Sequence, residues 1–116
     1  MINLIITVQP KSIKYLEFSQ TLEQIKGNLS QHCTKLAIVE EKKGFTIVTD
    51  LKSAKQLSSI INSKEMGILS GAIKMLCKVS KAVINGGGFE NKAYNLKEVQ
   101  FNFTRIIQKS KHITIN

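Results

Sequence analysis

The residues of this chain that could do covalent chemistry are few, and none has a partner at a useful spacing. There are two cysteines, Cys33 and Cys77, and two histidines, His32 and His112. A reactive thiolate needs a cationic neighbour or a base, and a metal centre needs paired ligands such as C-x-x-C. Neither cysteine has them. His32 adjoins Cys33, but adjacent residues of a strand point to opposite faces. Both thiols therefore read as small strand residues. The run Gly86-Gly87-Gly88 could cradle a phosphate only in a G-x-x-x-x-G-K-[ST] or G-x-G-x-x-G setting, and neither occurs. It reads as a flexible joint. No carboxylate dyad and no nucleophile–base pair can be picked out.

The remaining chemical signal is charge. The chain carries a formal +9, and sixteen of its seventeen basic residues are Lys. They are spread from Lys11 to Lys111 without a dense cluster. Proteins that read phosphates and bases favour the planar fork of Arg, and here the only Arg is Arg105. The expectation is a solvated basic surface, with weak salt-sensitive binding to nucleic acid and no specific nucleic-acid partner. No apolar run approaches the ~18 residues of a membrane span. The opening Met1–Val8 has neither a basic leader nor a small-residue cleavage site, so it reads as a strand. The expected setting is cytoplasmic, with no membrane partner.

These residues must be positioned by elements whose order can be read from hydrophobic period. A length of 116 residues is one domain, large enough to bury a core without disulfides or metal. Ile2, Leu4, Ile6 and Val8 alternate with Asn3, Ile5, Thr7 and Gln9 in a first strand that Pro10 ends. Phe18, Leu22, Ile25 and Leu29 form a helical stripe widened by Ile13 and Leu16, with Ser12 as N-cap and Gly27-Asn28 as stop. Cys33–Glu40 and Phe45–Leu51 read as a hairpin around a polar turn that ends in Gly44. Ser53 caps a short helix bearing Leu57, Ile60 and Ile61. After Asn62 and Ser63 a second piece carries Met66, Leu69, Ile73 and Leu76. Gly67 and Gly71, four apart, suggest a close approach to another backbone. A last strand, Cys77 to Asn85, sets Cys77, Val79, Lys81 and Val83 against Lys78, Ser80, Ala82 and Ile84. The order β-α-β-β-α-β predicts an α+β, ferredoxin-like antiparallel sheet with helices on one face. That domain spans 1–85, and 86–116 reads as a Gly-hinged extension packing on, or exchanged with, a second subunit. In the tail, Asn95-Leu-Lys-Glu98 resembles a capping box, with Leu96, Val99, Phe103 and Ile106 in helical spacing, whereas Val99, Phe101 and Phe103 alternate as strand formers do.

The stretch Gly44-Phe-Thr-Ile-Val-Thr-Asp-Leu-Lys-Ser53, then Leu57, then Ser63-Lys-Glu-Met-Gly-Ile-Leu69, resembles the antibiotic biosynthesis monooxygenase-like proteins of the dimeric α+β barrel superfamily. The turn Val8-Gln-Pro-Lys11 is similar to that family's first strand-to-helix turn. The resemblance covers about residues 1–85. It implies a homodimer in which two sheets face each other to close a barrel, and a pocket in each protomer between helices and sheet. It also implies an activity: cofactor-independent oxidation of an aromatic or quinol-like small molecule, other members being haem-degrading enzymes. Two departures stand out. The Trp common at the end of the third strand is Leu51, and the His common on the following helix falls at or near Ile60. A non-catalytic module of the same fold, binding a small ligand or a protein, is the alternative. Polar groups that could face the implied pocket are Asn3, Thr7, Tyr15, Thr49 and Asp50. No haem, flavin or metal cofactor is expected.

Overall fold

The computed structural model describes residues 1–86 and, as backbone, 89–95. The elements are β1 (Ile2–Pro10), a 3₁₀ turn (Ser12–Lys14), α1 (Tyr15–Ser30), β2 (Lys35–Glu40), β3 (Phe45–Leu51), α2 (Ala54–Ile61), α3 (Lys64–Leu76), β4 (Cys77–Gly86) and β5 (Phe89–Asn95). All strand pairs are antiparallel, and the sheet order is β2-β3-β1-β4-β5. The first four strands and the helices make the expected ferredoxin-like α+β arrangement. Residues 89–95, read from sequence as the start of the extension, add a fifth strand beside β4. Gly86 pairs with Phe89, so only two residues separate those strands. The capping-box segment and the apolar residues from Leu96 onward lie outside the described residues.

One face of the sheet is the core. Ile2, Leu4, Ile6 and Val8 on β1 and Phe45, Ile47 and Leu51 on β3 point into the helical layer. They meet Phe18, Leu22, Ile25 and Leu29 of α1, Leu57 and Ile60 of α2, and Met66, Leu69 and Ile73 of α3. The period-2 and period-3.6 patterns converge on a single apolar layer, and burial of that layer is the main term favouring the fold. Ser53 and Ser63 cap α2 and α3: their hydroxyls accept the amides of Gln56 at 3.2 Å and Met66 at 3.1 Å. Each side chain thereby satisfies one of the orphan donors of a helix start.

Several expectations are corrected. Ser12 is no cap; it opens a 3₁₀ turn, and no side chain caps α1. Ile13 and Leu16 do not widen the buried stripe but are 88% and 70% exposed. The 3₁₀ turn has three residues per turn, so Ile13 does not continue the angular series set by Phe18 and Leu22. α1 runs through Gly27 and Asn28 to Ser30, because packed Leu29 holds its last turn against the core. Cys33 precedes β2, lying buried in the turn after α1. Gly67 and Gly71 face open space, so neither is there for a close approach. In β4 the alternation is broken. Gln9 pairs with Val79 but Pro10 pairs with Cys77, a bulge that leaves Lys78 as the extra residue and turns Cys77 to the core side with Ser80, Ala82 and Ile84.

Candidate functional site

Among the described residues the other face of the sheet carries no helix. Register places its side chains in rows across the strands. Lys35, Asp50, Asn3 and Asn85 form a polar row. Ala37, Val48, Ile5 and Val83 form an apolar row. Val39, Thr46, Thr7 and Lys81 form a mixed one. Ile5, Val48 and Val83 are half-buried although no element among the described residues covers them. A sheet with one wetted face should alternate apolar and polar more cleanly than this.

The five residues singled out from sequence do not converge. Asn3 and Asp50 do meet: they face each other across β1 and β3, and the Asn3 amide donates to the Asp50 carboxylate. Thr7 stands on the same face but two rows away. Thr49 points the opposite way, into the core, where its hydroxyl donates to the Leu4 carbonyl at 3.0 Å. Tyr15 lies at the start of α1. Its ring stacks on Phe45 with centroids 5.2 Å apart, and its hydroxyl donates to Glu40 at 2.6 Å. The space between helices and sheet is occupied by Phe18, Leu57, Ile60, Met66 and Leu69, each almost wholly buried. Ile60, at or near which the resemblance would place a His, is part of that core, so the residues there do not fit haem ligation.

Two electrostatic details bear on reactivity. The Cys33 thiol is pushed up by burial and by the nearby Asp50 charge, the reverse of what an activated nucleophile needs. The Tyr15 phenol is held above its ordinary range, first by its hydrogen bond to Glu40, then by burial and by the Glu40 charge. It therefore stays protonated and acts as a strut between α1 and the end of β2.

A concave surface lies at one end of the sheet, where the β2–β3 turn bends over β1. Two open clefts of about 630 and 480 Å³ adjoin there and share Gln9, Glu41, Lys42 and Lys43. One reaches Ser12, Tyr15 and Lys78 on the helical side. The other reaches Thr7, Val79 and Lys81 on the open face. Gly44 makes the bend possible, because a Cβ there would sit 2.0 Å from the Val8 carbonyl oxygen. Sequence reading missed this grouping. The Lys42-Lys43-Gly44 turn was visible, but Lys78 and Lys81 are brought to it only by strand pairing and the β4 bulge.

No family model and no curated protein matches this sequence at a significant level. Solved structures do match in shape. One, described as an antibiotic biosynthesis monooxygenase, superposes with a TM-score of 0.67 at 11% identity, covering 74% of this chain and 97% of its own. A candidate antibiotic biosynthesis monooxygenase from Nitrosomonas europaea gives 0.68 at 15%, covering 75% and 98%. A protein from Mycobacterium tuberculosis gives 0.68 at 10%, covering 78% and 98%. At such identities the likeness concerns the backbone: the ferredoxin-like α+β fold expected from the sequence is the fold this chain shares with those proteins.

Proposed function

We propose that two copies of this chain close face to face into a dimeric α+β barrel that binds a small aromatic or quinol-like molecule and oxidises it without a cofactor. The observation that carries this reading is the open sheet face. Its central row, Ala37, Val48, Ile5 and Val83, is apolar and flanked by polar rows, the layout of an interface with a dry centre and a wet rim. The fold shared with monooxygenase-type structures supports the chemistry. Within such a barrel, Asp50, oriented by the Asn3 amide, would take the proton of a bound phenol. The phenolate and dioxygen would then give a quinone and water, a balanced conversion in which the substrate supplies the electrons. Enclosure would exclude bulk water from the anion.

Binding without chemistry is the second reading. It is favoured by the engagement of the Asp50 carboxylate with Asn3 and by the apolar residues at the family's Trp and His positions. One pair of measurements separates the two. Light scattering at micromolar concentration should give about twice the 13.0 kDa chain mass. Oxygen uptake with a panel of hydroquinones and naphthols should be saturable and should be lost in Asp50→Asn. A clean monomer would refute the barrel, and saturable ligand binding with no oxygen uptake would establish the non-catalytic module.

A further inference from the structure

The geometry points to a binding site for a small organic anion, bearing a carboxylate or a phosphate, in the paired clefts beneath the β2–β3 turn. It stands apart from the oxidation reading and does not need it. Four ammonium groups from two separate segments surround the clefts: Lys42 and Lys43 on the turn, Lys78 and Lys81 on β4. None of the four forms an ion pair among the described residues, whose ion pairs are Lys14–Glu17, Lys26–Glu23 and His32–Glu65. The two carboxylates in the same clefts already have partners. Glu40 accepts the Tyr15 hydroxyl at 2.6 Å, and Glu41 accepts the Thr46 hydroxyl at 3.0 Å. Two negative charges therefore face four positive ones.

Two irregularities of the backbone hold the lysines there. Gly44 lets the turn press against β1, which brings Lys42 and Lys43 over Gln9. The β4 bulge turns Lys78 out of the ladder and into the cleft beside Pro10, Ser12 and Tyr15. Bulges commonly re-aim a side chain at a site. Like charges gathered around a concavity with low-dielectric walls focus the field inward, so that an anion is drawn to the cleft and not to the surface at large. Ser12 and Gln9 add neutral donors at its base. The concave shape favours a small molecule over a membrane or a nucleic-acid duplex.

The test is an amide chemical-shift titration of the full chain at ~150 mM salt with phenyl phosphate, benzoate and neutral phenol. Either anion should give saturable shifts confined to Gln9, Ser12, residues 41–44 and residues 78–81, and phenol should not. Whichever anion binds more tightly assigns the acidic group. The K42Q/K43Q/K78Q variant should weaken binding about tenfold, roughly twofold for each exposed ammonium. A K52Q/K55Q/K64Q control, altered at the far end of the sheet, should bind as the parent does. A dispersed amide spectrum for both variants would confirm that each is folded. The proposal is overturned if the shifts spread over all lysines, if phenol moves the same amides as strongly, if the control weakens equally, or if a short duplex binds more tightly than the small anions.

Discussion

Across β1 to β4 the two faces of the sheet are built from the same strands and answer to different constraints. On the covered face every β1 and β3 position is buried, and even its polar member, Thr49, is satisfied by a backbone carbonyl. On the open face neighbouring rows differ in kind: an apolar row lies between an amide–carboxylate pair and a threonine–lysine row. The covered face has one task, exclusion of water. The open face keeps polar groups beside apolar ones, which is what an interface or a ligand surface requires and a core does not.

Substitutions can break that contrast. The largest effect is expected on the covered face. Leu4→Ala removes a side chain with no solvent exposure and should cost about 3 kcal/mol in urea unfolding, since the surrounding helices cannot collapse into the space. A loss under about 1 kcal/mol would mean that the face is loosely packed. One residue away, Ile5→Lys should leave the far-UV circular dichroism unchanged and convert a dimer to a monomer in light scattering. If it unfolds the chain instead, the open face is core, and the division of the sheet drawn here is wrong.

Buried hydroxyls sharpen the comparison within the covered face. Thr49 has a partner, whereas the Ser80 hydroxyl is buried without one among the described residues. Thr49→Val should destabilise by about 1 kcal/mol by removing the hydroxyl that donates to the Leu4 carbonyl. Ser80→Ala should stabilise by about 1 kcal/mol, because it removes a desolvated group that gains nothing in return. Opposite signs in paired thermal melts would support this account.

The smallest effect is at the cleft. Tyr15 has its folded-state value raised above the ordinary 10.0 by Glu40. The neutral phenol is the bound form, so the stabilisation is complete below pH 10.0 and is lost as pH climbs through the raised value. In a Tyr94→Phe background, absorbance at 295 nm should report a phenol ionising above the ordinary range, and Glu40→Gln should bring it back down. An unshifted titration would remove the strut between α1 and β2.

What was legible in the sequence was whatever depends on local period. The alternation of β1 and β3, the stripe Phe18-Leu22-Ile25-Leu29 and the serine cap of α2 are written in neighbouring residues, and from them the order of elements and the ferredoxin-like fold follow. Local period also shows where reading fails. Ile13 lies in a 3₁₀ turn, which changes the angular step, and Leu16, two residues before Phe18 in α1, is about 200° round the helix from the buried stripe, so both face outward. Cys77 sits on a strand of regular pattern, but one bulge reverses its face. The candidate site was the least legible part. Asn3 and Asp50 are 47 positions apart, and the lysines at the clefts come from segments that know nothing of each other until β4 pairs with β1. By itself the sequence determined which residues would avoid water and in what order the elements would form, because those choices are made within a few residues. Tertiary structure alone decided which charges share a cleft and that Asn3 meets Asp50, because strand register and bulges are settled by pairing across the whole sheet.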